Sequence, residues 1–290
     1  MKVAYQKWFY LGILAMVWGS SFILMKKALV GVTPIQLGAL RMLISAVFLF
    51  LIGFKSIKKI QKRHWKYVFF TAFLGTFFPV FLFAYAVKGI DSSIVSILNS
   101  LTPFNTLLFG AWVFGFRFKR GQLIGVFIGL IGTVILILNG AELHPNQNHS
   151  SAILIIIASV GYAFNVNMVK KYLHDLSALS IVVGNFLILF LPALIVLAAT
   201  GFFTDYEYKP AQVQSLGYLT ILAVLGTGIA KVLYNKMVHL ANPLFASSVT
   251  YLIPIVAVMW GLLDGERLSL VQLFAGCIIL VGVYLSNKAK

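Results

Sequence analysis

Hydrophobic residues occur in ten long runs that are separated by short polar breaks. A helix needs about 20 apolar residues to cross a bilayer, and each run comes close to that length. Only helices and closed barrels satisfy their own backbone hydrogen bonds in lipid, and barrel strands would alternate polar with apolar residues. The pattern therefore predicts helices near 8–28, 34–54, 66–87, 92–115, 121–140, 151–170, 178–200, 214–236, 243–263 and 268–287.

The second half of the chain repeats the first. Gly75-Thr76 recurs as Gly226-Thr227, 151 positions later. The earlier parts of the two halves align at an offset of 144, where Trp18 matches Tyr162. Paired hydrophobic repeats are the usual construction of a membrane transporter, with the substrate path between the halves.

Each repeat holds five predicted helices. Because five is odd, the second repeat enters the membrane from the opposite side, and the duplication is inverted. We therefore predict an all-α integral membrane protein of ten transmembrane helices, built as two inverted five-helix repeats. The first repeat covers residues 1–141 and the second covers 151–290, and the polar segment 142–150 links them.

The basic residues predict the orientation. If the N-terminus is cytoplasmic, most of the 23 Lys and Arg residues fall on the cytoplasmic side, as the positive-inside rule requires. We therefore expect both termini in the cytoplasm. The residues on that side are Lys2, Lys7, Lys55, Lys58, Lys59, Lys62, Arg63, Lys66, Arg117, Lys119, Arg120, Lys170, Lys171, Lys236, Lys288 and Lys290.

Composition agrees with a multi-pass protein of the cell inner (cytoplasmic) membrane. The chain is 60% hydrophobic and 10% charged, with a mean hydropathy of +0.96, whereas soluble domains carry roughly 25% charged residues. The net charge of +16 does not indicate a nucleic-acid partner, because the charges are spread along cytoplasmic loops that meet anionic lipid. The lone Cys277 excludes an internal disulfide and a cysteine-based metal site.

The sequence carries no recognisable catalytic motif. It has no phosphate-binding loop, no nucleophile elbow and no paired metal-binding histidines on a helix. We therefore expect no catalytic residues, no metal and no cofactor. A membrane-embedded enzyme remains a weaker alternative, and so does a channel, which would need a continuous polar stripe where this chain is interrupted by Phe and Leu.

Polar and aromatic residues at helical spacing predict a cavity inside the bundle, since small-molecule sites are apolar pockets with a few placed polar groups. The alternative is that these groups only hold helices together. The candidate substrate-binding residues are Trp18, Ser21, Ser96, Asn99, Tyr162, Asn165, Lys231, Tyr234, Asn235, Thr250 and Tyr251. Pro103 and Pro254, at matched positions in the repeats, are predicted to bend their helices for gating.

Two cations lie within predicted spans, where ionisable groups are functional hypotheses by default. Lys231 either extends to the cytoplasmic surface or contacts an anionic group of the substrate. Arg41 either contacts substrate or caps backbone carbonyls. A stripe of Gly121, Gly125 and Gly129 favours close helix packing, either inside a monomer or across a homodimer.

Several segments, among them residues 18–22 and the stretch 232–269, resemble EamA-like transporters of the drug/metabolite transporter superfamily. In the first half these are residues 18–22 (Trp-Gly-Ser-Ser-Phe), Lys26 or Lys27 at the end of the first helix, and Leu40-Arg41. In the second half the likeness runs from Val232 through Asn242-Pro243 and the stretch 251–254 to Gly265-Glu266 and Ser269.

The resemblance implies two inverted repeats around a central cavity lined by helices one, three, four, six, eight and nine. It also implies alternating access and transport of amino acids, other metabolites, nucleotide-sugar-like solutes or drugs. We therefore expect a secondary transporter, and specifically an exporter, of amino acids or related polar or amphipathic compounds. Two departures are Lys231, which the family does not lead one to expect, and Phe116, which stands where the second repeat has Glu266.

Overall fold

The computed structural model of the protein describes residues 3–89, 95, 98–138, 150–206, 209–263 and 270–288, and every regular element within them is helical. We number the main helices α1 to α10. Their bounds are Val3–Ala28, Pro34–Gly53, Lys62–Gly89, Thr102–Trp112, Arg120–Leu138, Ser150–Tyr172, Ala178–Ala198, Pro210–Leu240, Pro243–Leu263 with a turn at Ser248, and Leu270–Lys288.

Six of these helices are long and apolar enough to cross a membrane: α1, α2, α3, α6, α7 and α8. Shorter apolar stretches occupy Arg120–Ile135, Pro243–Val256 and Phe274–Leu285, within α5, α9 and α10. The prediction of a helical membrane protein is therefore confirmed within the described residues.

Matched side-chain caps begin α2 and α7. Thr33 accepts a hydrogen bond from the N–H of Gln36, and the Gln36 side chain in turn accepts from the N–H of Thr33. Ser177 accepts from the N–H of Ser180 in the same way. Such caps contribute about 1 kcal/mol each. Residues 33 and 177 are 144 apart, so the duplication extends to the start of these helices.

α3 and α8 each contain one π-helical turn. The turns are Phe73–Phe77 in α3 and Val224–Ile229 in α8, so each includes its Gly-Thr pair from the duplication. A π-turn inserts a residue into an α-helix and is frequently found at functional sites. Sequence periodicity did not predict these turns.

The fourth predicted helix differs from its expectation. Within the described residues, Leu98 and Asn99 are helical, Ser100 and Leu101 form a turn, and α4 begins at Thr102. Pro103 therefore lies in the first turn after this break, where proline is tolerated because its missing N–H has no intrahelical partner. Its role in bending the helix for gating stays a prediction. Pro254 does lie inside the second piece of α9, Val249–Leu263.

The helix contacts of the first half have equivalents in the second half. α1 packs on α8 and α9, while α6 packs on α3 and α4. α2 packs on α7, and the most extensive contact joins α5 to α10. If each helix is exchanged for the one five places along the chain, this set of contacts is unchanged. The first-half and second-half helices are thus intermixed throughout the bundle.

Glycine allows α5 and α10 to approach closely. A methyl group added at Gly282 would lie 2.4 Å from the backbone nitrogen of Gly129 and 2.8 Å from the carbonyl oxygen of Gly125. One face of the predicted glycine stripe is therefore covered by α10 of the same chain, which agrees with packing inside the monomer.

A polar cluster joins the start of α3 to the loop between α6 and α7. Asp175 Oδ2 lies 2.6 Å from Arg63 Nη2 and 3.1 Å from His64 Nε2. His64 Nδ1 accepts from the N–H of Gln61, so the ring carries its proton on Nε2. Desolvation raises the pKa of the Asp175 carboxyl, but a backbone hydrogen bond, His64 and Arg63 outweigh it and hold that pKa below its ordinary value.

We predict that Gly282→Ala lowers the free energy of unfolding by about 1–3 kcal/mol, because the new methyl group meets backbone atoms that cannot rotate away. The measurement is the thermal unfolding midpoint of the purified protein in detergent. Gly276→Ala on the same helix is the control, since a methyl group there meets nothing within 4 Å. Equal midpoints for the two variants would contradict the close α5–α10 contact.

Candidate functional site

A cavity of about 100 Å³ lies at the centre of the bundle, between α1, α2, α3, α6, α8, α9 and the segment that precedes and begins α4. One water needs roughly 10–15 Å³, so the cavity is large enough for several waters or a small solute. Eight of the predicted residues lie on its wall: Trp18, Ser21, Asn99, Tyr162, Asn165, Lys231, Tyr234 and Thr250.

The other predicted residues that the structure describes lie elsewhere. Tyr251 is fully buried, and its hydroxyl donates to the carbonyl oxygen of Val126 on α5 at 2.9 Å, away from the cavity. Asn235 is buried in α8 but is not part of the cavity wall. The helix face of Tyr251 thus turned out to contact α5. Ser96 lies outside the described residues, and Pro103 and Pro254 are not among the lining residues.

The two π-turns place backbone carbonyls beside the cavity. The carbonyl oxygen of Gly226 in α8 accepts a hydrogen bond from Trp18 Nε1 at 3.0 Å. The carbonyl oxygen of Gly75, its counterpart in α3, accepts from Lys231 Nζ. Backbone groups at membrane depth must be satisfied inside the protein. Trp18 and Lys231 therefore have a structural task at the π-turns as well as a place on the cavity wall.

The glycines of the π-turns also bring the helices of opposite halves together. A methyl group added at Gly75 would lie 2.4 Å from the side chain of Asn165 on α6. One added at Gly226 would lie 2.9 Å from Ser21 Oγ on α1. Ser21 and Asn165 are 144 positions apart, so the two contacts are equivalent under the duplication.

Two aromatic pairs flank the cavity in the same equivalent way. Trp18 and Tyr234 have ring centroids 5.3 Å apart, and Tyr162 and Phe83 have centroids 6.0 Å apart. Trp18 matches Tyr162 at the offset of 144, and Phe83 matches Tyr234 at 151. Each pair joins a helix of one half to a helix of the other, and both pairs present apolar ring surface to the cavity.

The charged groups of the cavity break this symmetry. Arg41 on α2 and Lys231 on α8 both line the cavity and are half-buried. Arg41 Nε donates to Thr227 Oγ1 in the π-turn of α8, and Lys231 donates to Gly75 as described. At the matched positions the chain has Asn185 and Val80, which carry no charge.

The partners of both cations are neutral oxygens. Within the described part of the chain, the ion pairs are those of Asp175 with Arg63 and His64, and no carboxylate lies on the cavity wall. A charge inside a membrane protein is costly unless it is paired or hydrated. The cavity therefore presents two cations that an anionic group could neutralise.

Several cavity residues were absent from the predicted site. Arg41 was recognised as unusual but not placed in the cavity, and Thr227 was noted only as part of the repeated Gly-Thr pair. Phe22, Phe83 and Thr102 also line the cavity. The repeated Gly-Thr pair was the available signal for Thr227, whereas the apolar lining residues resemble any other buried aromatic or aliphatic residue.

A family model and several relatives agree on the kind of protein that this chain resembles. The model of the EamA-like transporter family matches residues 6–138 and 149–288. A "Probable amino-acid metabolite efflux pump" of Salmonella typhimurium is 28% identical over 94% of this chain and 92% of its own length. The "Uncharacterized transporter YoaV" of Bacillus subtilis is 24% identical over 96% of each chain.

Two further comparisons concern location and fold. The "Uncharacterized inner membrane transporter YedA" of Escherichia coli K12 is 28% identical over 70% of this chain and 64% of its own length. A solved crystal structure of a protein matches with a TM-score of 0.72 at 16% identity, covering 96% of this chain and 95% of that one. This last likeness establishes a shared fold alone.

We predict that Gly75→Ala lowers the thermal unfolding midpoint, because its methyl group would overlap Asn165; overpacking of this kind costs about 1–3 kcal/mol. Gly217→Ala in α8 is the control, since nothing lies within 4 Å of that position. Adding Asn165→Ser, the residue type at matched position 21, should recover part of the loss. A Gly75→Ala variant as stable as the Gly217→Ala control would contradict the close contact at the π-turn.

Proposed function

The chain belongs to the EamA-like transporter family, and we propose that it is a secondary carrier that moves small metabolites by alternating access. It is a multi-pass protein of the inner membrane, in keeping with its apolar helices and the inner membrane transporter among its relatives. The observation that carries the proposal is the central cavity, which lies between equivalent elements of the two halves and combines aromatic, polar and cationic groups.

The proposed architecture has ten transmembrane helices in two inverted repeats, residues 1–141 and 151–290, joined by a linker at 142–150. The equivalent caps, π-turns, aromatic pairs and helix contacts of the two halves support it. Both termini are placed in the cytoplasm on the distribution of Lys and Arg. Inverted repeats of this kind let a bundle open to either side of the membrane around one site.

The proposed substrates are amino acids or related polar and amphipathic compounds, and the proposed direction is export. The names of the Salmonella relative and of a 26% identical Escherichia coli K12 relative, both "Probable amino-acid metabolite efflux pump", support this choice. The solute would lie between the aromatic pairs, with an acidic group facing Lys231 and Arg41. Ser21, Asn99, Asn165 and Thr250 would complete the site with neutral hydrogen-bonding groups. The carrier would act as a monomer or a homodimer.

Transport is tested with the purified protein in proteoliposomes and a panel of radiolabelled amino acids and related carboxylates. A carrier gives flux that saturates with solute concentration and is stimulated by the same solute on the opposite side. Flux that rises linearly with concentration would favour a channel, and no flux of any panel member by folded protein would contradict the proposal.

We predict that Lys231→Met lowers the flux of the best-transported carboxylate at least tenfold per folded molecule, with flux normalised to folded protein because the variant also loses the hydrogen bond to the Gly75 carbonyl. A hydrogen bond to a charged group contributes about 1.5–3 kcal/mol, which is enough for such a loss. Lys236→Met is the control, because that lysine is exposed on the same helix. Wild-type flux in Lys231→Met would show that the ammonium does not contact the solute.

A further inference from the structure

The two cations of the cavity distinguish among the solutes that the proposed function would admit. Arg41 and Lys231 both face the cavity, and their hydrogen-bond partners are the Thr227 hydroxyl and the Gly75 carbonyl. Neither partner carries a charge. A bound carboxylate would therefore find two positive groups whose charges no described side chain neutralises.

The α-ammonium of a bound amino acid would find no negatively charged partner on the described wall. It is attached to the carbon next to the carboxyl carbon, so a cation that holds the carboxylate also lies close to the ammonium and repels it. The oxygen acceptors on the described wall are neutral: hydroxyls, as on Ser21 and Tyr162, and amides such as that of Asn99.

The remaining wall suits an apolar substituent. The pairs Trp18–Tyr234 and Phe83–Tyr162 lie in helices that surround the cavity, and Phe22 adds a further aromatic ring. Rings of this kind take up flat or branched hydrocarbon groups.

We infer that the cavity selects a small monocarboxylate that has an aromatic or branched apolar group and lacks the α-ammonium, in preference to the matching amino acid. Acids of this class include the 2-oxo, 2-hydroxy and N-acylated relatives of apolar amino acids. The inference rests on the proposed function and refines its substrate class. It depends on Arg41 and Lys231, the two cavity charges that the other half of the duplication lacks.

The test is equilibrium binding to the purified full-length protein with matched pairs. One pair is phenylalanine and 3-phenylpropanoate, and the other is leucine and its 2-oxo analogue. The acid without the ammonium should bind at least tenfold more tightly in each pair, a difference of 1.4 kcal/mol. The uncharged amide 3-phenylpropanamide should bind at least tenfold more weakly than 3-phenylpropanoate.

Charge-removing variants connect the preference to the cations. In Arg41→Gln and in Lys231→Met, the acid and the matching amino acid should bind with more similar affinities. Lys236→Met should keep the wild-type preference for the acid. Size-exclusion profiles identify any variant that fails to fold, and the two substitutions provide independent readings. Three results would overturn the inference: equal affinities in the wild type, a preference for the amino acids, or no binding of any of the four compounds.

Flux measurements on the same pairs separate this inference from the proposed function. Saturable transport of amino acids without any preference for the acids would leave the carrier function in place and overturn the inference. Tight, selective binding of the acids without flux in proteoliposomes would support the selective site and contradict the carrier function.

Discussion

The hydrogen bonds of the π-turn carbonyls are the constraint on which the centre of this bundle depends. Within a membrane a backbone carbonyl must find its partner inside the protein, and Gly75 and Gly226 both take donors from other helices. Lys231 donates to Gly75 and Trp18 donates to Gly226, so each carbonyl is satisfied by a side chain from the opposite half of the chain. Because a glycine is present at each π-turn, Asn165 and Ser21 can pack directly against it. These contacts bring the helices of the cavity wall together.

A symmetric framework carries an asymmetric set of charges. The aromatic pairs, the packed glycines and the helix contacts recur in both halves, whereas Arg41 and Lys231 face the cavity without charged counterparts at positions 185 and 80. A framework with equivalent halves suits a carrier that opens alternately to two sides. Charges that are present only once suit the recognition of a solute, which binds in one orientation.

Much of this arrangement was predictable from the sequence, because lipid imposes strong rules on composition. Long apolar runs predicted helices, and the matched Gly-Thr pairs pointed to equivalent positions in the two halves. Helical spacing cannot tell which of two inward faces meets a cavity, so Tyr251, which contacts α5, was misplaced. The π-turns could not be recognised from the hydrophobic pattern. One extra residue in a long apolar helix changes the hydrogen bonding but leaves the run apolar. The turn at Ser100-Leu101 was not predicted, because a proline such as Pro103 in a long apolar run marks either a bend or a helix start.

The central claim is that the cavity between the two halves holds the transported solute. The most direct measurement is an experimental structure of the protein saturated with a carboxylate that it transports. The account predicts solute density between the Trp18–Tyr234 and Phe83–Tyr162 pairs, with the carboxylate within hydrogen-bonding distance of Lys231 Nζ or the Arg41 guanidinium. An empty cavity, with the solute bound at another place in the bundle, would contradict it.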